Sequence, residues 1–92
     1  MAVERTVTVQ HPEGLHARPA AMFVQMASRY ASEIEVEAKG QKSSAKSILG
    51  VLKLGVSRGE AVTIRATGAD EEAAVEGLAA FLAGEADRGA TS

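Results

Sequence analysis

The chain has no cysteine. That excludes a disulfide scaffold and a Cys-based zinc site, and it suits a reducing cytosol. An excess of positive charge is also missing: ten Lys and Arg stand against twelve Asp and Glu, for a formal net charge of −2. A nucleic-acid binder usually shows a basic face and a high isoelectric point, so that class is set aside. No apolar run approaches the ~20 residues of a membrane span. The opening "MAVERTVTVQ" carries charge and alternation where a signal peptide would have an apolar centre. The expectation is a soluble, cytoplasmic protein with no membrane and no nucleic-acid partner. No repeat, linker or second domain is visible. At 92 residues the chain is one small domain, and its 46% hydrophobic content is that of a globular sequence.

What is present is clear alternation. In residues 3–9, Val3, Arg5, Val7 and Val9 face one way and Glu4, Thr6 and Thr8 the other, which predicts a strand. "HPEG" breaks it. Over residues 17–30 the period changes: Ala20, Phe23, Val24, Ala27 and Tyr30 form a helical stripe, with Gln25, Ser28 and Arg29 off it. Pro19 fits a first helical turn, where its missing N–H is not needed. "EIEVEA" at 33–38 alternates strictly, "KG" is a tight-turn candidate, and "QKSSA" reads as a short polar strand suited to a sheet edge. "KSILGVLKLG" fits strand or helix by period. Ser47 as cap and Gly55 just past the end favour a short helix, although Gly50 weakens it. After the "SRGE" turn, residues 60–66 alternate again. "TGADEE" opens a last helix, with Asp70 as its cap and Ala74, Val75, Leu78, Phe81 and Leu82 as its stripe. The class is α+β in the order βαββαβα, an antiparallel sheet covered by helices on one side, whose first two strands need not be neighbours.

Chemistry concentrates in "PEGLHARPAA". A histidine imidazole is a competent nucleophile near neutral pH. His16 stands just before a helix start, where free backbone N–H groups favour anions, phosphate above all. Arg18 can grip phosphate oxygens through two hydrogen bonds. Gly14 permits a sharp turn, Pro19 stiffens the first turn, and Ala17 and Ala20 complete the helix start. A cation at a helix N-terminus opposes the macrodipole, so an anion visiting that end would explain it. On the residues alone, a surface histidine beside a solvated arginine explains the same triplet. No Ser–His–Asp spacing and no metal-ligand set accompany it. His11 reads as a strand-end surface residue without a role.

The second notable segment follows Ser47. As a cap the serine explains itself. A phosphoserine there would be electrostatically tolerated. Ile48, Leu49, Val51, Leu52 and Leu54 are too many for one buried face of so short a helix, so part of the run is either ordinary packing or an exposed docking patch.

"GLHARPAA" resembles the active-site signature of the histidine-containing phosphocarrier proteins (HPr) of the bacterial phosphotransferase system. "KSILGVLKLG" resembles that family's regulatory-serine segment. The resemblance covers about residues 3–84, so the domain is expected over 1–84 with a flexible tail at 85–92. It implies an open-faced β-sandwich: a four-stranded antiparallel sheet with three helices on one face. It implies that His16 accepts a phosphoryl group on Nδ1 from phosphorylated enzyme I, itself charged by phosphoenolpyruvate. The group then passes to a histidine on the IIA domain of a sugar permease, and Arg18 stabilises it meanwhile. Such a protein is a carrier, not an enzyme, and works as a monomer without cofactor or metal. Ile48, Leu49 and Leu52 would dock partners. Ser47 would be the target of an ATP-dependent HPr kinase/phosphorylase, whose product joins a catabolite-control regulator.

Glu13 departs from the family, which often has Ser or Asn there. A carboxylate so placed would repel phosphate, so it is expected to point away or to destabilise the phosphohistidine. Other readings compete with the carrier. A regulatory module would act through Ser47 alone, but such paralogues lack the active-site histidine. Members of the nitrogen-regulatory branch usually lack the serine segment. An enzyme with its own turnover finds no cofactor motif or second domain. A small ferredoxin-like binding domain is what would remain if both motifs were coincidental.

Overall fold

A computed structural model of the chain describes residues 2–12, 14–15 and 17–84. The elements are β1 (Ala2–Thr8), α1 (Ala17–Ser28), β2 (Glu33–Ala38), β3 (Gln41–Ser44), α2 (Ile48–Leu54), β4 (Ala61–Thr67) and α3 (Glu71–Leu82). The strands form one antiparallel sheet in the order β1-β4-β2-β3. β4 inserts between β1 and β2, so the connection through α1 joins strands that do not pair. β3, the polar strand, lies at an edge. The expected tail at 85–92 lies outside the described residues.

Strand alternation decides which face the helices cover. On β2, Ile34, Val36 and Ala38 are buried, and on β4 so are Val62, Ile64 and Ala66. The register sets Val36 beside Ile64 and Ile64 beside Arg5, so β1 turns Val3, Arg5 and Val7 to the same side. Phe23 and Ala27 of α1 and Ala74, Val75, Leu78, Phe81 and Leu82 of α3 fill the space above. Each fully buried Val, Leu, Ile or Phe contributes about 1.5–3 kcal/mol. Arg5 lies on the helix-facing side at the edge and reaches Glu76 of α3 at 3.7 Å, a solvated pair. On the open face, Arg65 stands in register between Glu4 and Glu35, so its charge is compensated across the sheet.

The β2–β3 hairpin turns on Lys39 and Gly40, whose φ values are 56° and 78°. Two successive left-handed residues are what a two-residue hairpin needs to match strand twist. Lys39 then donates to the Gly55 carbonyl at 2.8 Å and pairs with Glu60 at 3.2 Å, tying the turn to the end of α2.

The ambiguous segment is a helix. Ser47 caps it, its Oγ accepting from the Gly50 amide at 3.1 Å, and Gly55 ends it in the left-handed region at φ 60°. Gly50 has a packing reason: a Cβ there would strike the Ser43 Oγ and come within 3.1 Å of the Ser43 Cβ, so glycine lets α2 close on β3.

Asp70 departs from expectation. It occupies the N-cap position of α3 but makes no side-chain cap bond. Its carboxylate instead accepts from the Ala31 and Ser32 amides, both at 2.9 Å, and from the Ser32 hydroxyl. The Ser32 hydroxyl, followed by the Ala31 amide, holds the Asp70 carboxyl below its ordinary value. The residue fastens the chain leaving α1 to the start of α3, and just ahead of the helix Glu71 accepts from the Gly68 amide at 3.0 Å.

Candidate active site at the start of α1

His16 and Glu13 lie outside the described residues. Their neighbours do not. Gly14 is buried at φ 67°, and its amide donates to the His11 carbonyl at 2.9 Å. A Cβ on Gly14 would strike the Val56 carbonyl oxygen and come within 2.8 Å of the Ser57 Cα. Glycine is required here twice, for the left-handed backbone and for the close approach of another loop. Leu15 is fully buried, and its amide donates to Val56 O at 2.9 Å. The chain therefore enters α1 pinned against residues 56–58.

α1 begins at Ala17 and has no acidic residue in its first turn. Arg18 is exposed, while Pro19 and Ala20 are buried. The first N–H groups of a helix have no acceptor within it, and Pro19 has none to offer, so the first turn presents few backbone donors. An exposed guanidinium beside a positive, acid-free helix start is an anion-attracting surface. The arrangement can neutralise a phosphoryl group, and phosphoryl transfer needs little else from a protein.

α2 packs against α1. It buries Val51 and Leu54 and leaves Ile48, Leu49 and Leu52 exposed at 39%, 73% and 38%. The apolar surplus read from the sequence is thus divided, with three side chains facing solvent. Ser47 is exposed at the head of the same helix. Met22, at 40%, is a further exposed large apolar side chain. It lies four residues after Arg18, hence on the same face of α1, and its signal was an apolar residue off the buried stripe.

His11 corrects the sequence reading. It is half-buried, its Nε2 lies 2.7 Å from the Phe81 carbonyl oxygen, and its ring stands 4.7 Å from the Phe81 ring. Among the described residues, no group of three metal-ligating side chains occurs, and no helix is long and apolar enough to cross a membrane.

The sequence model of the PTS-HPr family, described as the PTS HPr component phosphorylation site, matches residues 3–84. The chain belongs to the HPr family. It is 49% identical over 80 residues to the HPr-like protein Crh of Bacillus subtilis, covering 87% of this chain and 94% of that one. The crystal structure of the phosphocarrier protein HPr from Bacillus anthracis superposes with a TM-score of 0.87 at 43% identity, covering 88% of this chain and 96% of that one. A crystal structure of B. subtilis Crh, described as a swapped dimer, has a TM-score of 0.73 at 48% identity over 90% of this chain and 95% of that one. The four-stranded, three-helix architecture is therefore that of HPr. A relative in swapped-dimer form removes the ground for assuming a monomer from fold alone.

Proposed function

We propose that this HPr-family protein is a phosphoryl carrier of the phosphotransferase system. The Nδ1 lone pair of His16 attacks the phosphorus of phosphorylated enzyme I. The new N–P bond forms as the enzyme I phosphoryl bond breaks, and the group leaves again to a histidine on a IIA domain. Ala17 and Ala20 lend the helix start its backbone donors, and Arg18 neutralises the phosphoryl oxygens. What carries the reading is the acid-free first turn of α1 with exposed Arg18, held by the buried turn at Gly14. A carrier must release what it accepts, and a shallow, exposed cation suits release better than a deep pocket. Ile48, Leu49 and Leu52 on the neighbouring helix supply a small apolar docking surface of the kind transient partners use. The carrier's domain spans residues 1–84, with 85–92 as an appended tail; it acts in the cytoplasm and needs no cofactor.

Ser47 is the regulatory position in this reading. Its exposed hydroxyl heads α2, where added negative charge is tolerated, so a kinase could mark it without unfolding the domain. HPr kinase/phosphorylase and a catabolite-control regulator are the corresponding partners. The relatives named as HPr-like protein Crh favour a second reading, in which regulation through Ser47 is the sole role. One pair of reactions separates the two. With enzyme I and phosphoenolpyruvate, the carrier gains one acid-labile phosphate that His16→Ala abolishes. With ATP and the kinase, either reading gains an acid-stable phosphate that Ser47→Ala abolishes. Acid-stable label alone favours the regulatory module. Sedimentation of the same samples reports whether the chain is single or swapped. Glu13→Ser should slow phosphohistidine hydrolysis, and an unchanged rate would remove any role for Glu13.

A further inference from the structure

The segment leading to His16 has a second anchor besides residues 56–58, at the end of α3. The Gln10 amide donates to Leu82 O at 2.8 Å, and the His11 ring approaches the preceding carbonyl of α3, that of Phe81, at 2.7 Å. A carbonyl only accepts, so Nε2 carries the proton in this contact. The two rings lie 4.7 Å apart and tilted by 40°. The His11 carbonyl in turn receives the Gly14 amide at 2.9 Å. One residue therefore holds α3 with its side chain and the buried turn before His16 with its backbone. Phe81 also meets Phe23 of α1, with ring centroids 6.4 Å apart. The turn before α1 and α1 itself are thus registered to the same residue of α3.

We propose that His11 is a positioning residue for phosphoryl transfer. Its Nε2–H···O bond to Phe81 fixes where the Gly14–Leu15 turn delivers the following histidine. His11 does not touch the phosphoryl group. This inference rests on the carrier reading of His16. In-line transfer is sensitive to placement, and a shift of ~1 Å can cost about 100-fold in rate. The docking residues of α2 make none of these contacts, so loss of the bond should lower turnover without weakening partner binding.

The test compares His11→Phe, which keeps a ring and loses the donor, with His11→Gln, whose amide nitrogen can reach about as far as Nε2. Phosphorylation by enzyme I and phosphoenolpyruvate is followed with the carrier as varied substrate, alongside hydrogen exchange at Gly14 and Leu15. His11→Phe should lower kcat about 10- to 100-fold with KM nearly unchanged and speed exchange at both amides, while His11→Gln recovers most of each loss. Wild-type kcat in His11→Phe overturns the inference. So does a defect that falls on KM, or one that His11→Gln does not mend. If the substitutions unfold the domain, ring nitrogen shifts of the unsubstituted protein still decide: His11 protonated at Nδ1 alone refutes the bond. A wild-type protein that takes no phosphate on His16 overturns the carrier reading and this inference together, whereas labelled wild type with an unaffected His11→Phe overturns this inference alone.

Discussion

Gly14→Ala should be among the most damaging single-methyl additions this protein can receive. Two separable effects add. The left-handed backbone at φ 67° costs a non-glycine residue about 1–2 kcal/mol. The new Cβ also meets backbone, namely the Val56 carbonyl oxygen and the Ser57 Cα, which cannot rotate aside as a side chain could. Overpacking of that kind costs about 1–3 kcal/mol. Alanine lowers the entropy of the unfolded chain and returns about 0.4–1 kcal/mol. The net loss is about 2–4 kcal/mol, or roughly 10–25 °C in Tm for a domain of this size. Gly40→Ala is the built-in control. Its φ is 78°, yet no atom lies within 4 Å of the added Cβ. It carries the backbone strain without the collision, for a net loss of about 1 kcal/mol. Urea unfolding of both variants measures the difference directly, with equal m values as the sign that only stability changed. If the two variants agree within about 0.5 kcal/mol, residues 56–58 do not press on the turn and the site is not held as described.

Gly50→Ala should destabilise despite the ~1 kcal/mol advantage of alanine in a helix, and Ser43→Ala should relieve part of that loss by a coupling of at least ~0.5 kcal/mol in a double-mutant cycle. Leu49→Asp should change folding stability by no more than about 0.5 kcal/mol, because its side chain is mostly in water, while weakening association with enzyme I in calorimetry. The Asp70 carboxyl titrates below its ordinary value in the fold, so its stabilisation is present above about pH 4 and is lost as pH falls through the lowered value. Asp70→Asn should therefore lower the urea midpoint at neutral pH, and the gap to wild type should close as the solution is acidified. A gap that widens in acid would contradict the assigned bonds.

The elements were legible because local rules and tertiary packing agree along most of the chain. Strict alternation in "EIEVEA" marked the buried face of β2, and caps decided for α2 what periodicity left open. The insertion of β4 between β1 and β2 came from long-range pairing, which no local pattern specifies. The misreadings share that cause. Asp70 has the chemistry of a cap, but three donors at residues 31 and 32 outcompete the local amides. Gly50 looked like a weak point because its reason, Ser43, belongs to another element. His11 looked solitary because its partner is 70 residues further along. At the site, residue types and spacing pointed to the helix start beside Arg18 that we propose binds the phosphoryl group. The loop packing that makes Gly14 indispensable became visible only when residues 56–58 were brought alongside.

The carrier reading stands or falls on the stoichiometry of acid-labile phosphate. Incubation with enzyme I and phosphoenolpyruvate, followed by intact-mass measurement at neutral and acid pH, should give one phosphoryl group per chain that disappears on acidification and never forms on His16→Ala. An unmodified wild-type chain, or a label that survives in His16→Ala, would contradict it.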